Sequence, residues 1–277
     1  MSFKIVVDSC CDLTPQMLQD PCFVKVPLTI RVDESTFVDD ETFDQADLLW
    51  AMHHSEHAPS TSCPSPQAYL DAYQGVDDVY VVTLSALLSG SHNSAVQARV
   101  LLEEEEPERN VHVFNSCSAS SGEVLTALKI RELASSGMPF KKVVREVEQY
   151  ICQMQTLFVL ESLENLRKNG RLTKLQAVVT GALRIKLLMG ATPQGEICKL
   201  GQALTMKQAL GKLVDRMAAD PDHQGRVAAV CHCNCLERAF ALKEQIEAKC
   251  QFQQVLILEA GGITTVYAND GGVVVAY

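Results

Sequence analysis

The sequence lacks the motifs that mark the commonest enzyme active sites. It contains no G-x-S-x-G nucleophile elbow, no P-loop, no H-E-x-x-H zinc helix and no G-x-G-x-x-G dinucleotide turn. Ser89 and His92 are spaced as a nucleophile and its base could be, but no carboxylate that would orient the histidine can be assigned. We therefore expect no catalytic residues, and a serine-dependent hydrolase or acyltransferase is the less favoured alternative.

Long apolar runs and positive charge are also scarce. The longest candidate run, residues 175–190, is interrupted by Arg184 and Lys186 and falls short of the roughly 18 residues that a membrane-spanning helix needs. With 24 Lys and Arg against 34 Asp and Glu, the net charge is −10, which disfavours nucleic acid and anionic membrane surfaces as partners. The first residues enter a strand pattern without a signal-peptide layout, so we expect a cytoplasmic location and no integral membrane association.

Cysteine is plentiful, but paired metal ligands are not. The 11 cysteines are an odd number in a chain without an export signal, which favours reduced thiols over a disulfide framework. The densest group is Cys231, Cys233 and Cys235, which strand alternation would place on one face. A zinc site needs a second pair of ligands, and no C-x-x-C pair occurs. We expect no metal and no cofactor.

Strand-like and helical segments alternate along the chain. The first half predicts helices at 40–54, 91–105, 117–136 and 139–152 and strands at 3–7, 23–32, 79–84 and 111–114. This alternation predicts an α/β fold with parallel strands and crossover helices. The second half predicts helices at 205–218 and 235–249 and strands at 156–160, 184–189, 196–200, 226–231 and 253–259, with the strands at 184–189 and 196–200 paired around the turn at 193–195. We place a domain boundary near residue 155, giving an N-terminal domain over 1–155 and a C-terminal domain over 156–277.

Two hydroxyl-rich loops are the most informative local feature. One spans residues 61–66 and the other spans 85–95, and each precedes a predicted helix. Free N–H groups and the positive end of a helix dipole favour a negative ligand at such a place. Neither loop contains lysine or arginine, so a singly charged carboxylate suits them better than a polyphosphate. The alternative is that Ser89 and Ser91 are ordinary helix N-caps that bind nothing.

Taken in order, these loops and their neighbours resemble the DegV family of bacterial proteins. T-S-C-P-S at 61–65 is similar to the family's T-S-Q-P-S, and S-A-L-L-S-G-S-H-N-S-A at 85–95 is similar to S-S-x-L-S-G-T-Y-Q-S-A. Further matches follow the family order at D-S-x-x-D-L (8–13), Ser116, L-R-K-N-G-R-L (166–172) and Ile185-Lys186. The resemblance covers essentially the whole chain, and the ordered set is far more specific than any one match.

The resemblance implies two α/β domains of the DegV type with a long-chain fatty acid in an apolar tunnel between them. It implies a lipid-binding protein of lipid transport or fatty acid metabolism, and related members serve as the acyl-carrying subunit of bacterial fatty acid kinase. By match to the motifs, Thr61 and Ser89 hold the fatty-acid carboxylate with Ser62 and Gly90 beside them.

The same resemblance places Arg171 and Tyr267 as head-group neighbours. For Arg171 there is an alternative, since an arginine just past a helix often binds the last carbonyls of that helix. The bound lipid would be the only ligand, and we expect a monomer.

The sequence departs from the family pattern where charge is expected. Gln202 and Leu204 stand in place of the lysine and arginine of a K-x-R motif, Tyr267 in place of a histidine, and Asn115 in place of an acidic residue. The groups that would manage a phosphorylated head group are therefore largely missing. Lipid binding is expected, a fatty acid kinase catalytic subunit is a doubtful partner, and a lipid sensor or carrier without a kinase is the alternative. A phosphotransfer role is a further hypothesis, suggested by the similar fold of dihydroxyacetone kinase subunits.

Overall fold

Four parallel strands form the first sheet. The structure of the protein is a computed structural model, which describes residues 3–175 and 185–277. The strands are β1 (Phe3–Asp8), β2 (Phe23–Val26), β6 (Asp78–Thr83) and β7 (Asn110–Asn115), in the order β2-β1-β6-β7. Helices α1 (Pro15–Leu18), α3 (Pro66–Tyr73) and α4 (Ser91–Glu105) connect them. The α/β prediction with parallel strands is confirmed here, because crossover helices return the chain to the same edge.

A small antiparallel sheet stands beside the first one. It consists of β3 (Thr29–Val32), β4 (Ser35–Val38) and β5 (Ser60–Ser62) in the order β4-β3-β5. Along the chain, α2 (Gln45–His54) connects β4 to β5. The single strand predicted at 23–32 is therefore wrong, because the chain leaves β2 at Pro27 and enters β3. Proline has no N–H to donate to a sheet ladder, which explains the break.

The predicted helix at 40–54 begins later than expected. Asp44 is the N-cap of α2, and its carboxylate accepts hydrogen bonds from the N–H groups of Ala46 (2.7 Å) and Asp47 (3.1 Å). Before it, Asp40 accepts a bond from the Thr42 N–H at 2.8 Å and holds a turn. Both carboxylates serve turns and caps better than a helix interior.

The second half of the chain builds a larger mixed sheet. Its order is β10-β9-β8-β13-β11-β12, and the β11–β12 pair is parallel while the other pairs are antiparallel. The strands are β8 (Thr156–Val159), β9 (Lys186–Ala191), β10 (Ile197–Ala203), β11 (Val227–His232), β12 (Gln254–Glu259) and β13 (Val273–Ala276). The predicted hairpin of β9 and β10 is confirmed, although position 184 of the first predicted strand lies outside the described residues.

Four helices accompany this sheet in the described part of the chain. They are α7 (Glu164–Lys168), α8 (Met206–Ala219), α9 (Leu236–Lys249) and α10 (Gly262–Ala268). Sequence analysis missed α10, since its run of Ile, Thr, Thr and Val has low helix propensity. None of the described helices is both long and apolar enough to cross a bilayer.

Helix α5 (Ser121–Ser135) lies between the two large sheets. It contacts β1 and β6 of the first sheet and β11 and β13 of the second, and α6 (Phe140–Gln153) packs against it. Its buried Val124, Leu125, Ala127 and Ile130 belong to one hydrophobic cluster that includes strand residues of both sheets. The proposed boundary at residue 155 falls between α6 and β8, and the division into two domains stays a prediction.

Candidate functional site

The loop after β6 is fixed at both ends by one buried carboxylate. Asp8, the last residue of β1, accepts hydrogen bonds from the Leu84 N–H (3.0 Å) and the Ser91 hydroxyl (2.6 Å). Ser91 is therefore not a helix cap, because its buried hydroxyl faces Asp8 and also bonds Tyr69 at 2.6 Å. The conformation of residues 84–91 thus depends on a residue about eighty positions earlier in the chain.

A second buried carboxyl group accompanies Asp8. Glu123 lies in the first turn of α5, and its Oε1 accepts a hydrogen bond from the Ser120 N–H at 3.2 Å. Burial and the nearby Asp8 charge raise the pKa of Glu123 well above its ordinary value. The other oxygen, Oε2, is buried and has no hydrogen-bond partner among the described residues, which favours the neutral form of Glu123 beside Asp8.

Ser89 lies one residue before the N-cap of α4. The N-cap is Gly90, which has no side chain to cap with, and the Ser89 hydroxyl oxygen accepts a bond from the Ser91 N–H at 3.2 Å. The Ser89 hydroxyl proton has no acceptor among the described residues, so it can be donated to a ligand. A Cβ on Gly90 would lie 3.1 Å from the Cys63 sulfur, which shows how closely the two hydroxyl loops approach.

Thr61 is joined to a residue from the far end of the chain. It lies on β5 opposite Ile30, and its hydroxyl is 2.8 Å from the Tyr267 hydroxyl. Burial raises the pKa of Tyr267, so the phenol is neutral and can donate. Two hydroxyls that share one hydrogen bond leave one O–H proton for a ligand.

Ser62 differs from its neighbour Thr61 in its surroundings. It is exposed, pairs with Thr29 in the small sheet, and is not among the residues that line the cavities described below. Its role beside the carboxylate stays a prediction.

Arg171 contacts the 85–95 loop and the Tyr267 ring. Its Nε donates to the Leu88 carbonyl (3.2 Å), its Nη1 donates to the Asn169 carbonyl (2.6 Å), and its guanidinium carbon is 5.4 Å from the centre of the Tyr267 ring. The bond to Asn169, which ends α7, agrees with the carbonyl-binding interpretation of this residue. A guanidinium has five N–H donors, so three remain for a ligand after these two bonds.

Two further carboxylates hold α10, which carries Tyr267. Asp12 accepts bonds from the Gly261 N–H (2.7 Å) and the Thr264 hydroxyl (2.7 Å). Asp39 accepts bonds from the N–H groups of Gly262 (2.7 Å) and Ile263 (2.9 Å). Negative charge stabilises a helix N-terminus because that end carries the positive end of the helix dipole, and this compensates for the poor helix propensity of the segment.

The glycine pair at the start of α10 is a steric requirement. A Cβ on Gly262 would lie 2.7 Å from Ile30 Cδ1 and 2.9 Å from the Asp39 carboxyl carbon. Only glycine lets the backbone approach this closely. The sequence signals that could have revealed the contacts of α10 were the Gly-Gly pair and Asp12 of the 8–13 motif, neither of which was given a structural role from the sequence.

One end of an apolar cavity, called the apolar cavity below, lies beside Arg171 and Tyr267. Its empty space, including the part open to solvent, is about 740 Å³. Its apolar walls come from the first sheet's loops, the second sheet and α10, and include Leu84, Leu88, Phe158, Leu160, Leu166, Ile197, Ile263 and Val274. Arg171 and Tyr267 line it at the polar end.

A shallower depression, called the loop depression below, adjoins the apolar cavity. It is lined by Ala86, Leu87, Leu88, Ser89, Gly90, His92, Asn93, Val96 and Arg171. Leu88 and Arg171 line both spaces, so the hydroxyl of Ser89 and the start of α4 lie at the same end as Arg171. The structure thus brings Thr61, Ser89, Gly90, Arg171 and Tyr267 to one end of an apolar space.

The hydrolase alternative finds no support in these contacts. His92 Nδ1 is 3.2 Å from the Thr83 hydroxyl, and burial lowers the pKa of this histidine. Among the hydrogen bonds of the described residues, none joins Ser89 to His92.

The three clustered cysteines each donate a hydrogen bond to a different partner. Cys231 donates to Asp12 (3.2 Å), Cys233 donates to Thr265 (3.7 Å) and Cys235 donates to the Gly272 carbonyl (3.6 Å). The predicted alternation on one face is wrong, because β11 ends at His232 and Asn234 has φ +49°. Within residues 3–175 and 185–277, no group of three His, Cys, Asp or Glu side chains could hold a metal ion.

Among residues 3–175 and 185–277, no other lysine or arginine lines the apolar cavity or the loop depression. Lys186 is paired with Glu161, which also pairs with Arg238 at 2.9 Å. Leu204, which stands where the family offers an arginine, is 72% exposed and lines neither of the two spaces. Arg171 is thus the cation that the described residues place at this end of the cavity.

Comparison with known proteins assigns the family. The family model described as an uncharacterised protein of the DegV family matches residues 2–277. The chain belongs to the DegV family. A DegV domain-containing protein of Streptococcus pyogenes is 35% identical over 279 residues, covering 100% of this chain and 99% of that protein.

Solved DegV structures share the fold. A DegV family protein of Ruminococcus gnavus, refined with vaccenic acid, has a TM-score of 0.96 at 46% identity and covers 100% of both chains. The Fatty Acid Kinase (Fak) B3 protein of Streptococcus pneumoniae, loaded with linoleic acid, has a TM-score of 0.92 at 34% identity and covers 100% of this chain and 99% of that one. The predicted family and α/β fold class are confirmed.

The Asp12 contacts predict a pH-dependent contribution to stability. Burial raises the pKa of Asp12 from 3.8 to about 6, so the folded protein binds a proton that the unfolded chain releases between these values. This stabilisation is present at low pH and is lost as the pH rises through about 6. Between about pH 7.5 and 5, we expect the free energy of unfolding of wild type relative to Asp12→Asn to rise by about 1 kcal/mol.

Urea unfolding at the two pH values measures this difference. The control is Asp20→Asn, because hydrogen bonds to Cys22 lower the pKa of Asp20 below 3.8 and its contribution is constant over this range. An Asp12→Asn difference that is equally constant would contradict the prediction.

Proposed function

We propose that this protein binds one long-chain fatty acid, with the acyl chain in the apolar cavity and the carboxylate at the polar end. The observation that carries this is the contrast between the two parts of the space. The apolar cavity is lined mainly by aliphatic and aromatic side chains, and its polar end is lined by Arg171 and by Tyr267, which is hydrogen-bonded to Thr61. Ser89 lines the adjoining loop depression, which shares Arg171 with the cavity. A ligand with a long apolar chain and one negative charge fits both.

The energies agree with such a ligand. Burying about 15 methylenes at ~0.8 kcal/mol each contributes roughly 12 kcal/mol before the costs of association. Each hydrogen bond to the carboxylate contributes about 1.5–3 kcal/mol before desolvation. The acyl chain therefore provides most of the affinity, and the polar groups around Arg171 determine the orientation of the bound fatty acid.

Related structures support the proposal. Proteins 46%, 34% and 28% identical to this chain were solved with vaccenic, linoleic and heptadecanoic acid, respectively, and have TM-scores of 0.96, 0.92 and 0.92. We further propose that the protein holds and presents the fatty acid without chemistry of its own, since no basic side chain is bonded to Ser89 in the part of the chain that the structure describes.

The direct test is the lipid content of the purified protein. We expect about one equivalent of a long-chain fatty acid by native mass spectrometry, because the cavity encloses one chain and its burial outweighs the cost of association. Protein that is apo, and stays apo after incubation with palmitate or oleate, would overturn the proposal.

The hydroxyl donors are tested by removing them singly. Thr61→Val and Ser89→Ala should each weaken palmitate binding by about 1–3 kcal/mol, because each removes a donor to a buried carboxylate. Binding is measured by titration and stability by thermal unfolding.

Two control variants separate binding from helix capping. Thr61→Ser retains the hydroxyl and should bind like wild type. Ser65→Ala removes the hydroxyl that caps α3 through the Ala68 N–H (3.2 Å), so it should lower stability and spare binding. If Thr61→Val and Ser89→Ala lower stability but leave affinity unchanged, the head-group assignment is wrong.

Acyl phosphorylation should be weak. An acyl phosphate brings about two negative charges, which need cationic partners when partly desolvated, and Arg171 is the cation that the described residues supply. We expect slower turnover with a bacterial fatty acid kinase and ATP than a DegV protein that has the arginine and histidine shows. Equal turnover would refute this, and Arg171→Ala and Lys186→Ala would then identify the missing cation.

A further inference from the structure

A second cleft adjoins the apolar cavity at a place away from Arg171. This space, called the rear cleft below, has about 400 Å³ of empty volume including the part open to solvent. Cys117, Thr156 and Ala191 line both the rear cleft and the apolar cavity. The loop depression shares different residues, Leu88 and Arg171, with the apolar cavity. The apolar cavity therefore has two neighbouring spaces that meet it through separate sets of residues.

The three shared residues have small side chains and are firmly placed. Thr156 begins β8 and Ala191 ends the adjacent β9. The turn that carries Cys117 is tied to β8 by a 2.6 Å hydrogen bond between the hydroxyls of Ser118 and Thr156. Cys117 has φ +50°, and its N–H donates to the Asn115 side chain at 3.1 Å. A conformation that L-residues seldom adopt is thus held at this junction.

On the far side of the junction, the surface of the rear cleft is partly apolar and partly polar. Ile151, Met154 and Pro193 line it, together with polar groups that include Gln155 and Thr192. Met154 is half-buried, and a methionine side chain adapts readily to a neighbouring hydrocarbon.

We propose that the rear cleft is the binding site for the terminal part of long acyl chains, which pass between Cys117, Thr156 and Ala191. These three residues then set the longest chain that the protein accepts. The proposal rests on the proposed function, and it adds the substrate range: acids longer than those the apolar cavity holds by itself. Each further methylene that stays enclosed strengthens binding by up to about fourfold, whereas a closed end would reject it.

A larger side chain at the junction tests the idea. Because Ala191 also lines the apolar cavity, the test compares two ligands in the same variant. Ala191→Leu should weaken binding of the twenty-carbon arachidate about tenfold or more relative to its effect on palmitate, since the added side chain blocks the passage. Ala191→Ser is the matched control, because serine is nearly as small and should keep the wild-type chain-length profile. Competition titrations with a saturated acid series supply the affinities.

The results separate this proposal from the proposed function. Wild type that binds palmitate but not arachidate overturns the rear-cleft proposal and leaves fatty-acid binding intact, as does an Ala191→Leu variant with an unchanged profile. Wild type that binds no fatty acid at all overturns both.

A second measurement uses the wild-type protein and does not depend on a folded variant. Alkylation by iodoacetamide is followed at each cysteine by peptide mass spectrometry. At Cys117, protein loaded with arachidate should react at about one third or less of the rate of protein loaded with a fourteen-carbon acid, since burial beside a ligand limits thiol access. Cys63, which is exposed near Gly90, should react equally in both. Equal rates at Cys117 would overturn the proposal.

Discussion

Buried carboxylates hold together the parts of this protein that form its cavity. Asp8 fixes both ends of the loop before α4, while Asp12 and Asp39 hold the first turn of α10. Each carboxylate is removed from water and accepts two or more hydrogen bonds, which is the condition for burying such a group at tolerable cost. Without these bonds, the hydroxyl of Ser89 and the phenol of Tyr267 would have no fixed position.

These contacts also explain the glycine and hydroxyl residues around them. At Gly261 and Gly262, carboxylate oxygens of Asp12 and Asp39 lie within 3.3 Å of the place where a Cβ would stand, and the Thr264 hydroxyl donates to Asp12. The hydroxyls that could have made the wall polar are consumed in these bonds, as with Ser120 on Asp12 and Ser118 on Thr156. The chain therefore places polar residues around an apolar space without leaving their donors unpaired, and the free donors concentrate at Arg171, Ser89 and the Thr61–Tyr267 pair.

Much of the site could be predicted from short segments. The two hydroxyl loops and the ordered motifs identified the family. In the structure Tyr267 bonds Thr61 and stacks near Arg171, and Ser89 and Gly90 line the adjoining depression; the role of these residues at a carboxylate stays a prediction. The loops were recognisable because a strand, a small-residue turn and a helix start follow one another within a few residues. The role of Ser91 was not recognisable, since its partner Asp8 lies far away in the sequence and a serine at a helix start usually caps it. The helix at 262–268 escaped for the same reason, because it depends on Asp12 and Asp39 and not on its own propensity.

The sequence by itself determined the α/β class, the family, the parallel first sheet, the β9–β10 hairpin and the loops that carry the polar cluster. All of these depend on periodicity, turn residues or motifs that are local or ordered along the chain. Only the tertiary structure decided that Tyr267 bonds Thr61, a residue that lies 206 positions earlier. It also decided that Cys231, Cys233 and Cys235 bond to different partners, and that Cys117, Thr156 and Ala191 line two neighbouring spaces. The lining of an apolar cavity has the same composition as a core, so the sequence cannot distinguish the two. Their difference is the space left between elements, and packing alone fixes that space.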